Sequence, residues 1–137
     1  VNTDVLNVDE IELKKLPVAA ITNLSVAVST NGLGENIRVP VIVAKGKYAG
    51  PVVGITCAIH GNELNGIPVV FRVVRELDVE EMCGILIAVP VLNPPGFLRH
   101  QREFSDGQDL NRLFPGSATG NSGSQYVHLI QSKILSH

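Results

Sequence analysis

The chain has 137 residues, 45% hydrophobic and 18% charged, with a formal net charge of -2, a length that suits one domain burying roughly two-thirds of its unfolded surface. That balance argues against the clustered Lys and Arg needed to hold a phosphate backbone, and no apolar run reaches the about 20 residues that span a bilayer, so neither nucleic acid nor a membrane is an expected partner. Cys57 and Cys83 sit in apolar runs without metal-ligand spacing and read as small buried hydrophobes, and a start holding Asp4, Asp9 and Glu10 lacks the pattern of a leader, so the expected location is cytoplasmic.

Along the chain, Leu24, Val26 and Val28 alternate with Ser25, Ala27 and Ser29. Ile37, Val39, Val41 and Val43 alternate in the same way with Arg38, Pro40, Ile42 and Ala44, and this period of two predicts two strands. Between them Asn31-Gly32-Leu33-Gly34-Glu35-Asn36 tolerates positive φ, so a hairpin is expected. Gly32 and Gly34 do not read as a phosphate loop, because no helix follows them.

After a turn over 45–50, the run from Val52 to Ile59 is apolar on both faces, as a central strand covered on two sides would be, and it ends at His60. Leu64, Ile67, Val70, Phe71, Val74 and Leu77 then recur at helical spacing with Arg72, Arg75 and Glu76 opposite, which predicts an amphipathic helix. Pro68 fits in or just past its first turn, where N–H groups lack intrahelical partners. Ile85 to Leu92 predicts a second buried strand, followed by Asn93-Pro94-Pro95-Gly96. Strand, helix and strand in that order predict a right-handed crossover in a largely parallel α/β sheet.

From Phe97 to Asn121 the chain is polar and rich in Gly, Arg and Asp, a long loop of the kind that lines a site. A last helix is expected from Ser124 to about Ser136, with Val127, Ile130 and Ile134 on its apolar face. No repeat or linker divides the chain, so 1–137 reads as a single domain, with 1–48 a hairpin lead-in and 49–137 an α/β core. A sheet with so few central strands reads as part of a larger one. Its exposed apolar surface makes a homo-oligomer an expected partner class.

His60-Gly61-Asn62-Glu63 lies where a buried strand gives way to a helix, and ligand sites in open α/β sheets form beyond the carboxyl ends of the strands. An imidazole and a carboxylate three residues apart can converge on one zinc ion at about 2.0–2.2 Å, and catalytic zinc typically takes three protein ligands plus water. The spacing also has a plain reading, in which His60 caps the strand end and Glu63 is an exposed first-turn acid favoured by the helix dipole. A second motif shifts the balance. Asp109-Leu110-Asn111-Arg112, preceded by Arg102-Glu103-Phe104, follows the next central strand, so both loops should emerge at one sheet edge. Arg matches a carboxylate bidentately, and an amide beside it adds a neutral donor.

In order, then, stand a strand ending in His60-Gly61-Asn62-Glu63, Asn93-Pro94, Arg102-x-Phe104 and Asp109-Leu110-Asn111-Arg112-Leu113-Phe114-Pro115-Gly116. Over residues 50–116 this order resembles the succinylglutamate desuccinylase/aspartoacylase family, a branch of the zinc carboxypeptidase-like fold. The resemblance implies a three-layer αβα, phosphorylase/hydrolase-like architecture with a mixed, mainly parallel sheet, of which this chain is an N-terminal portion. It also implies Zn2+ as cofactor, with His60 and Glu63 as two of three protein ligands. Arg102 would polarise the scissile carbonyl and stabilise the oxyanion, and Asn111 with Arg112 would grip a substrate carboxylate. Asp109 is expected to orient an Arg or the loop, and Arg99 is a rival for the role of Arg102, with only the Arg-x-Phe spacing against it.

The family's third zinc ligand, a His on a strand after the last helix here, and its general-base Glu, further on still, have no counterpart in these residues. His100 lies among charged loop residues, His128 beside an apolar helix face and His137 at the last position, and each reads as a solvated histidine. The chain alone is therefore expected to bind zinc weakly and to be inactive. The implied activity is hydrolysis of an amide, or an ester, in a small carboxylate-bearing substrate such as an N-acyl amino acid. Two alternatives stand beside it: a noncatalytic module keeping Asn111 and Arg112 as a carboxylate clamp, and a zinc carboxypeptidase acting on peptides, disfavoured by the close spacing of Arg102 and Asn111.

Overall fold

In the computed structural model, which describes residues 4–137, five strands form one sheet, so positions 1–3 of the expected lead-in lie outside the described residues. The strands are β1 (Val5–Val8), β2 (Ala20–Thr30), β3 (Asn36–Lys45), β4 (Tyr48–Thr56) and β5 (Cys83–Val89), in spatial order β1-β2-β3-β5-β4. β1 with β2 and β4 with β5 pair in parallel; β2 with β3 and β3 with β5 pair antiparallel. The sheet is therefore mixed, as the family resemblance implied, with parallel and antiparallel pairings equal in number among these strands rather than mainly parallel.

The expected hairpin is β2–β3. Leu24 pairs with Val41 and Val26 with Val39, and a bulge falls between Ala27 and Ser29. Asn31 closes the connection by accepting from the backbone N–H groups of Leu33 (2.9 Å) and Glu35 (3.0 Å), while Gly34 takes the positive φ of 79°. Because side chains alternate across a strand, Val39, Val41 and Val43 enter one apolar layer with Val26, Ile87 and Val89, whereas Ile42 and Ala44 enter the opposite one with Leu86 and Ala88.

Each layer is closed by a helix. α1 (Gly66–Glu76) places Val70 and Val74 on the Ile42 side, and α3 (Ser122–Ile130), which follows α2 (Pro94–Arg99), places Tyr126, Val127 and Ile130 on the Val39 side. Pro68 is the third residue of α1, inside the first turn where no N–H is needed. α3 starts two residues before the expected Ser124, capped by Asn121 Oδ1, which accepts from Ser124 N–H at 2.9 Å, and its last turn continues as a π-turn over Gln131–Leu135.

Three expectations are corrected. Among the described residues β4 is not covered on two sides: it lies at the edge of the sheet, with Val52 and Val53 exposed, and β5 is flanked by β3 and β4. Phe71, expected on the buried stripe of α1, is exposed, because Val70 and Val74 hold that stripe against β3 and β5 and turn Phe71 to the flank. Cys83 is exposed at the start of β5 rather than buried, while Cys57 is half-buried, its thiol pKa raised by desolvation; both are free.

Tyr126 joins α3 to the loops beyond the sheet. Its ring is fully buried, stacks on Phe104 with centroids 4.5 Å apart, and its hydroxyl donates to the Leu92 carbonyl at 2.8 Å. Replacing it with Phe strands that carbonyl, and Tyr126→Phe is expected to cost about 1–3 kcal/mol of unfolding free energy. Urea unfolding measures this, and an unchanged midpoint would remove the bond from the account.

Candidate active site

The first site segment begins where β4 ends. Cys57 N–H donates to Val89 O and Leu92 N–H returns to Cys57 O, both at 2.9 Å, before Ala58, with φ of 49°, turns the chain out of the sheet. One turn later Glu63 N–H donates to His60 O at 3.1 Å, which brings both side chains to one side. Gly61 stands between them with its α-carbon against the backbone of Gly96 and Phe97 in α2, where a Cβ would overlap main-chain atoms. The glycine of the motif is thus a close approach of two backbones.

The second segment follows β5. It is held by two buried side chains, Phe104 on Tyr126 and Leu110 in the core, with an exposed turn between them. Phe104 N–H donates to Gln108 O (2.9 Å) and Gly107 N–H to Phe104 O (3.0 Å), closing that turn with Gly107 at φ 78°. Arg102 precedes the first anchor, and Asp109 sits immediately before the second.

The two segments meet at His60, which is 5% exposed. Its Nε2 lies 2.9 Å from Asp109 Oδ1, and since an ionised carboxylate only accepts, Nε2 carries the proton. Arg102 bridges the cluster: Nη1 donates to Glu63 Oε1 at 3.0 Å and Nη2 to Asp109 Oδ2 at 3.1 Å. Asp109 Oδ1 also accepts from Asn111 N–H at 3.0 Å, and Arg112 Nε stands 3.5 Å from Oδ2. Asp109 was expected to orient an Arg or the loop; it does both and also fixes the His60 ring. Its contact with His60 spans a separation of 49 residues, which no local pattern could reveal.

Protonation follows from these contacts. Hydrogen bonds from His60, then from Arg102 and the Asn111 N–H, pull Asp109 down to about 2 against the cost of burial. The ionised form therefore stabilises the fold above about pH 4, and that contribution is lost as the pH falls through the lowered value. Glu63 is also lowered, chiefly by His60. Burial disfavours the His60 imidazolium, but Glu63 and Asp109 outweigh it and raise the pKa.

A metal needs a lone pair, and His60 Nδ1 can supply one when the ring is neutral. His60 Nδ1 is buried and stands 3.1 Å from Glu63 Oε1 without an aligned hydrogen bond, a contact close enough to favour the protonated ring but not one that ties the nitrogen down. In the neutral ring, with Asp109 holding Nε2–H, Nδ1 carries the lone pair beside a carboxylate 60% exposed, which is how second-sphere carboxylates prepare metal-binding histidines. His60 and Glu63 thus fit two positions of a metal site. Among the described residues no group of three or more His, Cys, Asp or Glu side chains is placed to hold an ion.

Arg102, not Arg99 at the end of α2, is the arginine that reaches Glu63 and Asp109. Asn111 and Arg112 lie on the short 3-10 turn Leu110–Arg112; Leu110 points into the core and leaves both exposed beside the cluster. His100 caps α2 at φ 53° and His128 is half-buried on α3. Sequence reasoning left Asn93 as a motif residue without a role, although a polar side chain directly after a buried strand was a usable signal.

The succinylglutamate desuccinylase/aspartoacylase catalytic domain model matches residues 49–137. N-alpha-acetyl-L-2,4-diaminobutyric acid deacetylase from Halomonas elongata is 35% identical over 86 residues, which are 62% of this chain and 25% of that protein. The chain thus spans about a quarter of the length of that curated relative. An aspartoacylase family protein from Mesorhizobium loti superposes with a TM-score of 0.73 and 31% identity, covering 89% of this chain and 38% of that one. Carboxypeptidase A from Helicoverpa armigera, at TM-score 0.59 and 18% identity over 84% of this chain and 38% of that one, shares the fold.

Proposed function

The chain belongs to the succinylglutamate desuccinylase/aspartoacylase family, and from that premise we propose that it forms part of a zinc-dependent deacylase cleaving the amide bond of a small carboxylate-bearing substrate such as an N-acyl amino acid. The observation that carries the reading is the buried, unbonded Nδ1 of His60 beside Glu63. Zinc, when bound, supplies a Lewis acid and lowers the pKa of its water from about 15.7 to about 7.

The residues divide the remaining work. Asp109 keeps the proton of His60 on Nε2 and so keeps Nδ1 available as a ligand. Arg102, its guanidinium already across the cluster, turns a donor toward the carbonyl oxygen as negative charge develops there. Asn111 and Arg112, exposed on the adjacent turn, take the substrate carboxylate, the amide as neutral donor and the guanidinium bidentately.

The test uses the full-length protein, assayed against a panel of N-acetyl and N-succinyl amino acids with metal analysis in parallel. One zinc per chain and amide hydrolysis are expected, with His60→Ala losing both. Hydrolysis that persists in His60→Ala without bound metal would remove zinc from the mechanism. A full-length protein that binds zinc but cleaves no member of the panel would move the substrate class elsewhere.

A further inference from the structure

Asn93 follows β5 and is completely buried, one of two buried polar or charged side chains among the described residues, the other being His60. Its side chain is used in full. Nδ2 donates to the Ile59 carbonyl at 3.1 Å and to the Glu103 carbonyl at 3.3 Å, and Oδ1 accepts from Gly96 N–H at 3.0 Å. Its main chain adds Asn93 N–H to Ala58 O at 3.1 Å and Phe97 N–H to Asn93 O at 2.9 Å.

These partners are not scattered. Ile59 directly precedes His60, and Glu103 directly follows Arg102, so one carboxamide holds the backbone on the ligand side and the backbone on the arginine side at once. The simpler account is that Asn93 caps α2, and its Oδ1 does so. A cap, however, needs only an acceptor, which Ser, Thr or Asp supplies equally. The two donated bonds are surplus to capping, and only an amide offers two donors and an acceptor in that volume. Asp in its place would set a carboxylate oxygen against two carbonyl oxygens.

We propose that Asn93 is a positioning residue that sets Arg102 at working distance from the His60–Glu63 pair. The proposal deepens the deacylase reading and rests on it for the catalytic consequence, not for the structural one. A displacement of about 1 Å at reacting groups can cost about 100-fold in rate, so the register of two loops is a property a buried amide can control.

Asn93→Ser and the near-isosteric Asn93→Asp both keep an acceptor for the α2 cap and lose the paired donation. In the full-length protein, with turnover counted per bound zinc and below the melting transition, each is expected to lower kcat about 10–100-fold with a smaller change in KM. The deciding comparison is a cycle with Arg102→Ala. If Asn93 acts through Arg102, its substitution costs little once the arginine is gone; an equal loss in both backgrounds would reduce it to a structural residue and overturn the proposal.

A second measurement needs no substrate. Hydrogen exchange in the segment 97–109 is expected to speed up in Asn93→Ser while α3 stays protected, and unchanged exchange there would overturn the positioning role even in an active enzyme. Should the wild-type protein cleave no acyl amino acid, the deacylase reading falls while the exchange measurement still decides the role of Asn93. Should Asn93→Ser fail to fold, Asn93→Thr, which keeps a cap acceptor and more of the side-chain volume without burying a charge, carries both measurements.

Discussion

Replacing Arg102 with alanine in the full-length protein is expected to lower kcat about 100- to 1,000-fold while leaving bound zinc in place, the loss found when one preorganised oxyanion donor is removed. The expectation follows from where the side chain stands. It is 41% exposed, its two outer nitrogens rest on Glu63 and Asp109, and its remaining surface faces the solvent side of the cluster. It therefore combines an ordered position with access to a substrate.

Arg102→Lys should recover part of the loss, because the charge is kept, but not all of it, since an ammonium cannot span both carboxylates as a planar fork does. Steady-state kinetics separate the roles. A fall in kcat and kcat/KM together marks transition-state stabilisation, whereas a rise in KM alone would make Arg102 a carboxylate clamp and pass the oxyanion role to another group.

The second large effect is on stability. Gly61→Ala should destabilise the fold by about 2–3 kcal/mol or more, at the upper end for overpacking, because the added methyl meets main-chain atoms of Gly96 and Phe97, which have no rotamer to change. Gly61 has no positive φ, so the cost is one of space and not of backbone conformation. Gly32→Ala, in the exposed β2–β3 turn, is the contrast: nothing lies within 4 Å of a Cβ there, and the change is expected to stay within about 0.5 kcal/mol. Denaturant midpoints for the two variants test the pair, and equal midpoints would mean that α2 gives way without cost.

Much of this was legible in the sequence, and what was not shares a cause. Period-two alternation from Leu24 to Ala44 specified a hairpin and even which valines share a layer, because alternation and pairing are local. The order β3-β5-β4 was not legible, since the apolar run at Val52 is compatible with either a central or an edge position and only long-range pairing decides. His60, Glu63 and Arg102 were identified as candidates, and the structure brings them together. The grip of Asp109 on His60 Nε2 and of Asn93 on Ile59 and Glu103 joins residues far apart in sequence through groups whose geometry no motif encodes.

The turn between Phe104 and Leu110 bears on how such a site can diversify. Both ends are fastened, one by stacking on Tyr126 and the other by burial, and the tip at Gly107 faces water. Closing a longer loop between fixed ends is cheap, about 0.6 kcal/mol for each doubling of its length. Residues added at that tip would border the cleft that Gly107 shares with Asn62 and Arg102 without moving Arg102 or Asp109, so this short segment can change what that cleft admits while the chemistry beneath it stays put.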